Sequence, residues 1–333
     1  MALAVDSFDL FLKDTLPFLK KIEEILSLVG LFYVGKVGLS TLCDLTVGLR
    51  AHVFSKFRRR NFKQRFGKWA VITGCTQGIG RCYAEELAKE GLNLILVSLG
   101  LDDLKELATH LSEKYRIDTE VVEVDFSHGR HVYEEISKHI NNKEVGMLIN
   151  NVGLILGRPK YFAEVTEDEI WGHINVNVGP ACAMTKMILP QMVNRGRGAI
   201  VNLSSFAAFL PVPLIGIYSA SKVFVDYFSQ SLEWEYRNKG ITVQTVTPNY
   251  VATNMTRYSP LIGTEGWLSP SPSVFAYHAV STIGYTKRTT GYWLHGLQAW
   301  FVHNLIPRWC LISVMGNFKT VLYREASKAA KCQ

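Results

Sequence analysis

Residues 69–80 read W-A-V-I-T-G-C-T-Q-G-I-G. Trp69, Ala70, Val71 and Ile72 make a brief apolar run of the kind buried on both faces of a parallel sheet. Thr73 and Gly74 open a turn, and Gly78, Ile79 and Gly80 lead into an amphipathic stretch, Arg81 to Lys89, that Gly91 ends. Strand, glycine turn and helix in this order build a phosphate site. A helix N-terminus offers unpaired N–H groups and partial positive charge, and glycine is needed where a Cβ would block a ligand or close packing. The glycines here follow T-G-x-x-x-G-I-G, not the commoner G-x-G-x-x-G spacing.

Outward from this turn, apolar and helical patterns alternate, as expected of a doubly wound parallel α/β sheet. Strands are predicted at Leu94–Ser98, Glu120–Val124, Met147–Asn151, Ala199–Ser205 and Ile241–Thr247. Helical spacing covers Leu101–Tyr115, Val132–Ile140, Asp168–Val193 and Tyr218–Lys239. After Pro248 the pattern loosens. Met255–Pro272 suits a flap over a site, and Thr289–Pro307 holds Tyr292, Trp293, Trp300 and Phe301, which suit a hydrophobic mouth, a bilayer interface or ordinary core packing. Three regions follow: an extension at 1–66, the α/β domain at 67–262, and a C-terminal segment at 263–333 packed on the same domain.

The chain has 333 residues, 48% of them hydrophobic, enough for a sizeable core. Its net charge of +7 and pI near 9.0 are unevenly spread. Between Asp44 and Glu85 there is no acidic residue, whereas Arg50, Lys56, Arg58, Arg59, Arg60, Lys63, Arg65, Lys68 and Arg81 all fall there. Such a cluster is either a solvated face or a contact with an anionic membrane surface. No nucleic-acid module accompanies it, and nucleic acid is not expected as a partner. The uncharged run Ile25–Gly35 is shorter than the roughly 20 residues of a spanning helix. The extension reads as a membrane-associated helix, an organelle-targeting element or a helix packed on the domain, the first being favoured by the basic cluster beside it. The six cysteines, Cys43, Cys75, Cys82, Cys182, Cys310 and Cys332, show no C-x-x-C spacing, and no metal site is expected.

The chemistry-bearing residues lie in Y-S-A-S-K, 218–222. Tyr218 and Lys222, four apart, share one helix face. An ammonium near a phenol favours the phenolate, which makes Tyr218 a candidate general acid/base for carbonyl–alcohol interconversion. Lys222 is also a candidate for the ribose hydroxyls of a cofactor. Ser205, at a strand end, is a candidate for polarising the carbonyl. Asn177, inside a helical stretch, is a candidate for breaking the regular bonding and anchoring a water linked to Lys222. Taken singly, each has an ordinary reading as a surface pair, a strand-end hydroxyl or a helical polar residue. Together, and downstream of a phosphate turn, they describe a site.

T-G-x-x-x-G-I-G at 73–80, Asp125, N-N-V-G at 150–153, Asn177, Ser205 and Y-S-A-S-K resemble, in order, the motifs of the short-chain dehydrogenase/reductase family. The resemblance covers about residues 67–255 and implies a Rossmann-type sheet, usually of seven strands. It implies that Ser205, Tyr218, Lys222 and Asn177 are catalytic in a hydride-transferring oxidoreductase. It assigns Gly74, Gly78, Ile79, Gly80, Asn151, Tyr218 and Lys222 to the cofactor, Asp125 to its adenine and Thr253 to its nicotinamide amide. The opening M-x-x-A-V-D-S-F and S-T-I-G-Y-T-K-R-T-T-G-Y-W at 281–293 resemble the family's 17-beta-hydroxysteroid dehydrogenase and 3-oxoacyl-CoA reductase-like group. Some of that group carry Phe at the position of Tyr218 and are classed as inactive; this chain keeps the Tyr.

The resemblance implies an apolar steroid or fatty-acyl substrate, a homo-oligomer built through long helices, and a mitochondrial location, with the endoplasmic reticulum membrane as the alternative. A catalytically inactive dinucleotide-binding scaffold is the other functional reading. Three positions depart from the family pattern. Leu99 stands where NADP-dependent relatives place an Arg, Pro248-Asn249 replaces Pro-Gly, and N-N-V-G replaces N-N-A-G. Ser98 is not the acidic residue that would favour NAD(H). With Arg81 as a substitute phosphate partner, the cofactor expected is NADP(H), with NAD(H) the alternative.

Overall fold

In a computed structural model, residues 2–57, 61–256 and 263–331 are described. The chain divides into two units, Met1–Leu49 and Arg50–Gln333.

The second unit is built on a seven-stranded sheet in the order β3-β2-β1-β4-β5-β6-β7. Its strands are β1 (Trp69–Thr73), β2 (Asn93–Ser98), β3 (Thr119–Glu123), β4 (Val145–Asn150), β5 (Gly198–Leu203), β6 (Ile241–Val246) and β7 (Arg288–Thr289), and every pairing is parallel. The short β7, held by Thr245↔Arg288 and Val246↔Thr289, lacks the apolar run that marks the other six.

Side chains alternate between the two faces of the sheet, so each strand serves two cores. Ala70, Ile72, Leu94, Leu96 and Met147 face a layer made by α3 (Gly78–Lys89), α4 (Leu101–Tyr115) and α9 (Pro272–Ser281). Val71, Ile95, Val97, Leu148 and Ile200 face α5 (Val132–Ile140), α7 (Gly179–Arg195) and α8 (Gly216–Tyr236). Between α6 (Glu167–His173) and α7 the helix passes through a π turn, Ile174–Val178. Pro180, near the start of α7, has no N–H to give the carbonyl four residues back, so the regular ladder cannot continue there. The single helix expected over Asp168–Val193 is therefore two, with Asn177 in the break.

The core begins earlier than the boundary expected at residue 66. Phe62, on the short helix α2 (Phe62–Arg65), and Phe66 are each 2% exposed and pack with Tyr83, Leu87 and Phe275. The last residues of the nominal extension thus belong to the α/β core. The C-terminal segment contributes α9, α10 (Trp293–Leu305) and α11 (Arg308–Lys331) to the same unit. Of the expected flap at Met255–Pro272, residues 257–262 lie outside the described residues.

The first unit is helical. Helix α1 (Ala2–His52) is unbroken, running through Lys36 and Asp44. Within it and just beyond, the 40-residue stretch Phe18–Phe57 is long and apolar enough to cross a membrane, and none of its most apolar window is buried. At 1.5 Å per residue, such a stretch exceeds a roughly 30 Å hydrocarbon layer.

Two phenylalanines test where the core begins. Phe62→Ala lowers the stability of the folded domain by about 3–5 kcal/mol, as expected for a buried Phe. Phe57→Ala, at a side chain 84% exposed, changes it by less than about 0.5 kcal/mol. Urea midpoints of the two variants check this.

Candidate active site

All the parallel strands aim their carboxyl ends at one edge, and the strand order reverses between β1 and β4. A crevice must open at such a reversal, outside the strand ends. Here it is a cavity of about 640 Å³. Its wall includes Gly74 after β1, Ser98 at the end of β2, Asn151 to Gly153 after β4, Ser204 and Ser205 after β5, and Pro248 and Asn249 after β6.

One end is the glycine turn. Gly74 has φ +66°, and a Cβ there would lie 2.9 Å from Val152 Cα. A Cβ on Gly80 would collide with the Gly74 carbonyl oxygen and the Asn151 amide. Both glycines are demanded by close backbone approach. Asn151 holds the turn in place. Its Nδ2 donates to the Thr73 carbonyl at 3.0 Å and the Gly74 carbonyl at 2.8 Å. Thr73 Oγ1 accepts the N–H groups of Asn151 and Val152, each at 3.1 Å. Gln77 caps α3 without a side-chain hydrogen bond and instead accepts from Asn254 Nδ2 at 2.6 Å. The first-turn N–H groups of α3 therefore face the cavity without a capping side chain, as a pyrophosphate needs. Gly78, Ile79 and Thr253 border the same end.

Tyr218 and Lys222 reach the cavity from the first turns of α8. Lys222 Nζ lies 5.8 Å from the Tyr218 ring centroid and donates to the Leu203 carbonyl at 3.1 Å. Burial pulls its pKa down to about 8, because an ammonium loses hydration there. At neutral pH the amine still carries its proton. A Cβ on Gly153 would lie 2.9 Å from Lys222 Nζ, so the glycine of N-N-V-G makes room for the lysine. Ser205 Oγ accepts the Ala207 N–H at 3.1 Å, which leaves the hydroxyl proton to be donated elsewhere. Ser205 and Tyr218 border the same cavity.

Asn177, in the π turn, clasps the loop after β4. Its Oδ1 accepts the Leu154 N–H at 2.8 Å, while Nδ2 donates to the Leu154 carbonyl at 2.9 Å and to Ser221 Oγ at 3.1 Å. Its amide thus ties that loop to α8. Among the described residues it does not border the cavity.

Two expected cofactor residues stand outside the cavity wall. Asp125, just past β3, accepts the Ser127 N–H at 2.9 Å, and this bonding holds its carboxyl below the usual range. Arg81 faces Glu106 at 3.8 Å across a solvated pair. Leu99 is 61% exposed, and the preceding Ser98 hydroxyl bonds Thr76 Oγ1 at 3.2 Å. None of Tyr292, Trp293, Trp300 and Phe301 lines the cavity; α10 presents Gln298 and Val302 instead. No group of three metal-ligating side chains occurs among the described residues. The buried Cys75 thiol, beside the turn, is pushed up to about 12 by desolvation and is inert.

Asn249, the departure from Pro-Gly, has a structural task. Its Nδ2 donates to Gln298 Oε1 at 2.6 Å and its N–H to His295 Nδ1 at 3.3 Å, joining the β6 end to α10. His295 is fully buried, and burial lowers its pKa to about 4, so the neutral ring accepts this bond at pH 7. Gln298, Asn254 and the α11 face at Leu311, Met315 and Lys319 also border the cavity, and no motif announced them. Their one sequence signal is the i, i+4, i+8 spacing on α11.

The turn admits a direct check. Gly80→Ala leaves the sheet intact and weakens binding of NADPH or NADH at least about tenfold, which is about 1.4 kcal/mol. Fluorescence titration measures it, with the thermal midpoint as the control for folding.

Comparison with known proteins agrees with this geometry. Residues 68–260 match the family described as short chain dehydrogenase. Over 324 residues the chain is 42% identical to the human protein named inactive hydroxysteroid dehydrogenase-like protein 1, spanning 97% of this chain and 98% of that one. It is 39% identical over 319 residues to rat very-long-chain 3-oxoacyl-CoA reductase, spanning 93% and 99% of the two. A short-chain dehydrogenase from Sphingobium yanoikuyae, solved in complex with NADPH, superposes with a TM-score of 0.57 at 29% identity, covering 64% of this chain and 82% of that one. With its glycine turn, its parallel seven-stranded sheet and its Ser-Tyr-Lys wall, the chain belongs to the short-chain dehydrogenase family.

Proposed function

We propose that this protein interconverts a hydroxyl and a ketone on an apolar substrate, with NADP(H) as its hydride partner. The observation that carries this reading is a single cavity bordered by the glycine turn and by Ser205, Tyr218 and Lys222. Gly74, Gly78 and Ile79 of the turn would hold a nicotinamide dinucleotide, which would supply or accept the hydride. The remaining work falls to the chain. The Ser205 hydroxyl donates to the substrate oxygen and orients it. In reduction the Tyr218 phenol gives its proton to that oxygen, and in oxidation the phenolate takes it back. The Lys222 ammonium stabilises the phenolate through space. Asn177 keeps the loop beside Lys222 in register by its two bonds to Leu154.

NADP(H) is preferred because a 29% identical relative was solved with NADPH and because Ser98 provides no carboxylate for a ribose hydroxyl. Arg81 is its proposed 2′-phosphate partner, since a solvated pair with Glu106 at 3.8 Å costs little to break. A second reading, a dinucleotide-binding scaffold without turnover, is favoured by the word inactive in the human relative's name. Tyr218 and its neighbouring lysine support turnover over that reading. We further propose that α1 attaches the protein to a membrane, its apolar length being exposed. The mitochondrion is the proposed compartment, and the endoplasmic reticulum is the alternative that fractionation distinguishes.

NADPH and NADH oxidation against keto-steroids and 3-oxoacyl thioesters tests the activity. Tyr218→Phe lowers kcat at least about 1000-fold while NADPH affinity stays within about threefold, as expected for loss of the proton donor. Cofactor binding with no turnover on any substrate establishes the scaffold reading instead.

The reduction rate also carries a signature of Lys222. Its kcat/KM is level below about pH 8 and falls above it, because the amine loses its proton there. A profile unchanged from pH 7 to 10 removes Lys222 from the proton chemistry.

Membrane attachment has its own check. The full chain stays with membranes in alkaline carbonate, and replacing Leu28, Leu31 and Phe32 with Lys releases it.

A further inference from the structure

Beyond the three groups that perform the chemistry, the cavity continues between α10, α11 and the segment after β5. Its wall there is apolar: Leu210, Val212, Val302, Leu311 and Met315. One charged side chain interrupts it. Lys319 lies on α11 at i+4 from Met315 and i+8 from Leu311, so the same helix face that supplies the apolar wall also supplies an ammonium. The residue is 2% exposed overall. Among the described residues lining the whole cavity, Lys222 and Lys319 are the two cations, and no aspartate or glutamate is present.

The helix that carries Lys319 is seated on its neighbours. A Cβ on Gly316 would lie 3.3 Å from Pro213 Cγ, so the helix backbone sits directly against the segment after β5. One turn beyond Lys319, Tyr323 donates to Glu164 Oε1 at 2.9 Å and meets the Tyr161 ring edge-on at 5.4 Å. The lysine is thus built into a docked wall. An ammonium on a largely apolar wall attracts an oxyanion more strongly than one in bulk water, because the local dielectric is low.

We propose that Lys319 is the specificity-determining residue of the substrate pocket, binding an oxyanion carried by an otherwise apolar ketone or alcohol. The inference rests on the redox reading above and narrows its substrate class. The accepted compound has an apolar body, a hydroxyl or ketone for Ser205 and Tyr218, and a carboxylate, sulfate or phosphate for Lys319. Desolvation lowers the Lys319 pKa to about 8, and an oxyanion beside it favours the ammonium.

Binding to the NADPH-loaded full chain, read by calorimetry, tests this without requiring turnover. The probes are oxo-fatty acids of graded ketone-to-carboxylate spacing beside their methyl esters, and a 17-keto steroid 3-sulfate beside its unconjugated parent. Wild-type protein binds at least one oxyanion form ten or more times more tightly than its neutral twin, and the series that shows this identifies carboxylate or sulfate as the source. Lys319→Met abolishes the preference by weakening the anion alone, and Lys319→Arg retains it. Equal affinity for both twins, a preference that survives in Lys319→Met, or binding of neither twin overturns the proposal. Where Lys319→Met does not fold, Lys319→Gln repeats the test. Oxyanion-selective binding with no ketone reduction overturns the redox reading and leaves the Lys319 assignment; reduction without oxyanion selectivity does the reverse.

Discussion

The site depends on a clasp between two strand ends. Thr73 and Asn151 stand at the carboxyl ends of β1 and β4, where the strand order reverses and a gap has to open. The Asn151 amide holds two carbonyls of the glycine turn, and the Thr73 hydroxyl holds two amides of the partner loop. This reciprocal bonding brings the two backbones so close that Gly74 and Gly80 have no space for a Cβ. Helix α3 then points its N-terminus into the crevice. Without the clasp, the glycines would be a flexible turn and not a shaped anion cradle.

The same device recurs along the carboxyl edge. Within the sheet, Asn150 Nδ2 donates to Asn202 Oδ1 at 2.8 Å, and Asn202 Nδ2 donates to Ser229 Oγ at 2.7 Å, linking β4 and β5 to α8. Asn177 fastens the loop after β4, and Asn249 fastens the end of β6 to α10. Short amide side chains suit this work because they donate and accept at once, with little entropy to lose. Two of the three departures from the family pattern then have a physical account; nothing in the structure explains Leu99. Asn249 exchanges the freedom of glycine for a bond to Gln298. Val152 borders the cavity while packing against the second core. Both positions are integrated in the fold.

Much of this was legible in the chain itself. The apolar run at 69–72 and the five later runs located six strands within two residues at either end, because the central strands are buried on both faces and are mostly apolar, while the edge strand β3 keeps a short valine pair. Tyr218 and Lys222 were legible because helical spacing alone puts them on one face. Ser205 followed from its place at a strand end. Motif order supplied the family and, through it, roles for Asn151 and Thr253, which both border the cavity. Within the expected helix over 168–193, the break anticipated at Asn177 is a π turn, whose form the helical spacing did not show. The boundary at 66 missed Phe62 and Phe66, because two phenylalanines within a basic stretch carry no periodic signal.

What the sequence determined by itself was local or repetitive: strand and helix order, the glycine turn, and the Tyr–Lys spacing. These follow from backbone sterics and hydrophobic period, which act between near neighbours in the chain. The tertiary structure alone decided which distant residues meet. Asn249 bonds a side chain 49 positions away, Lys319 stands in the wall that Tyr218 also borders, and Arg81 and Asp125 lie outside that wall. Such contacts arise from helix docking on a sheet of fixed order, and they depend on how whole elements pack more than on any local pattern of residues.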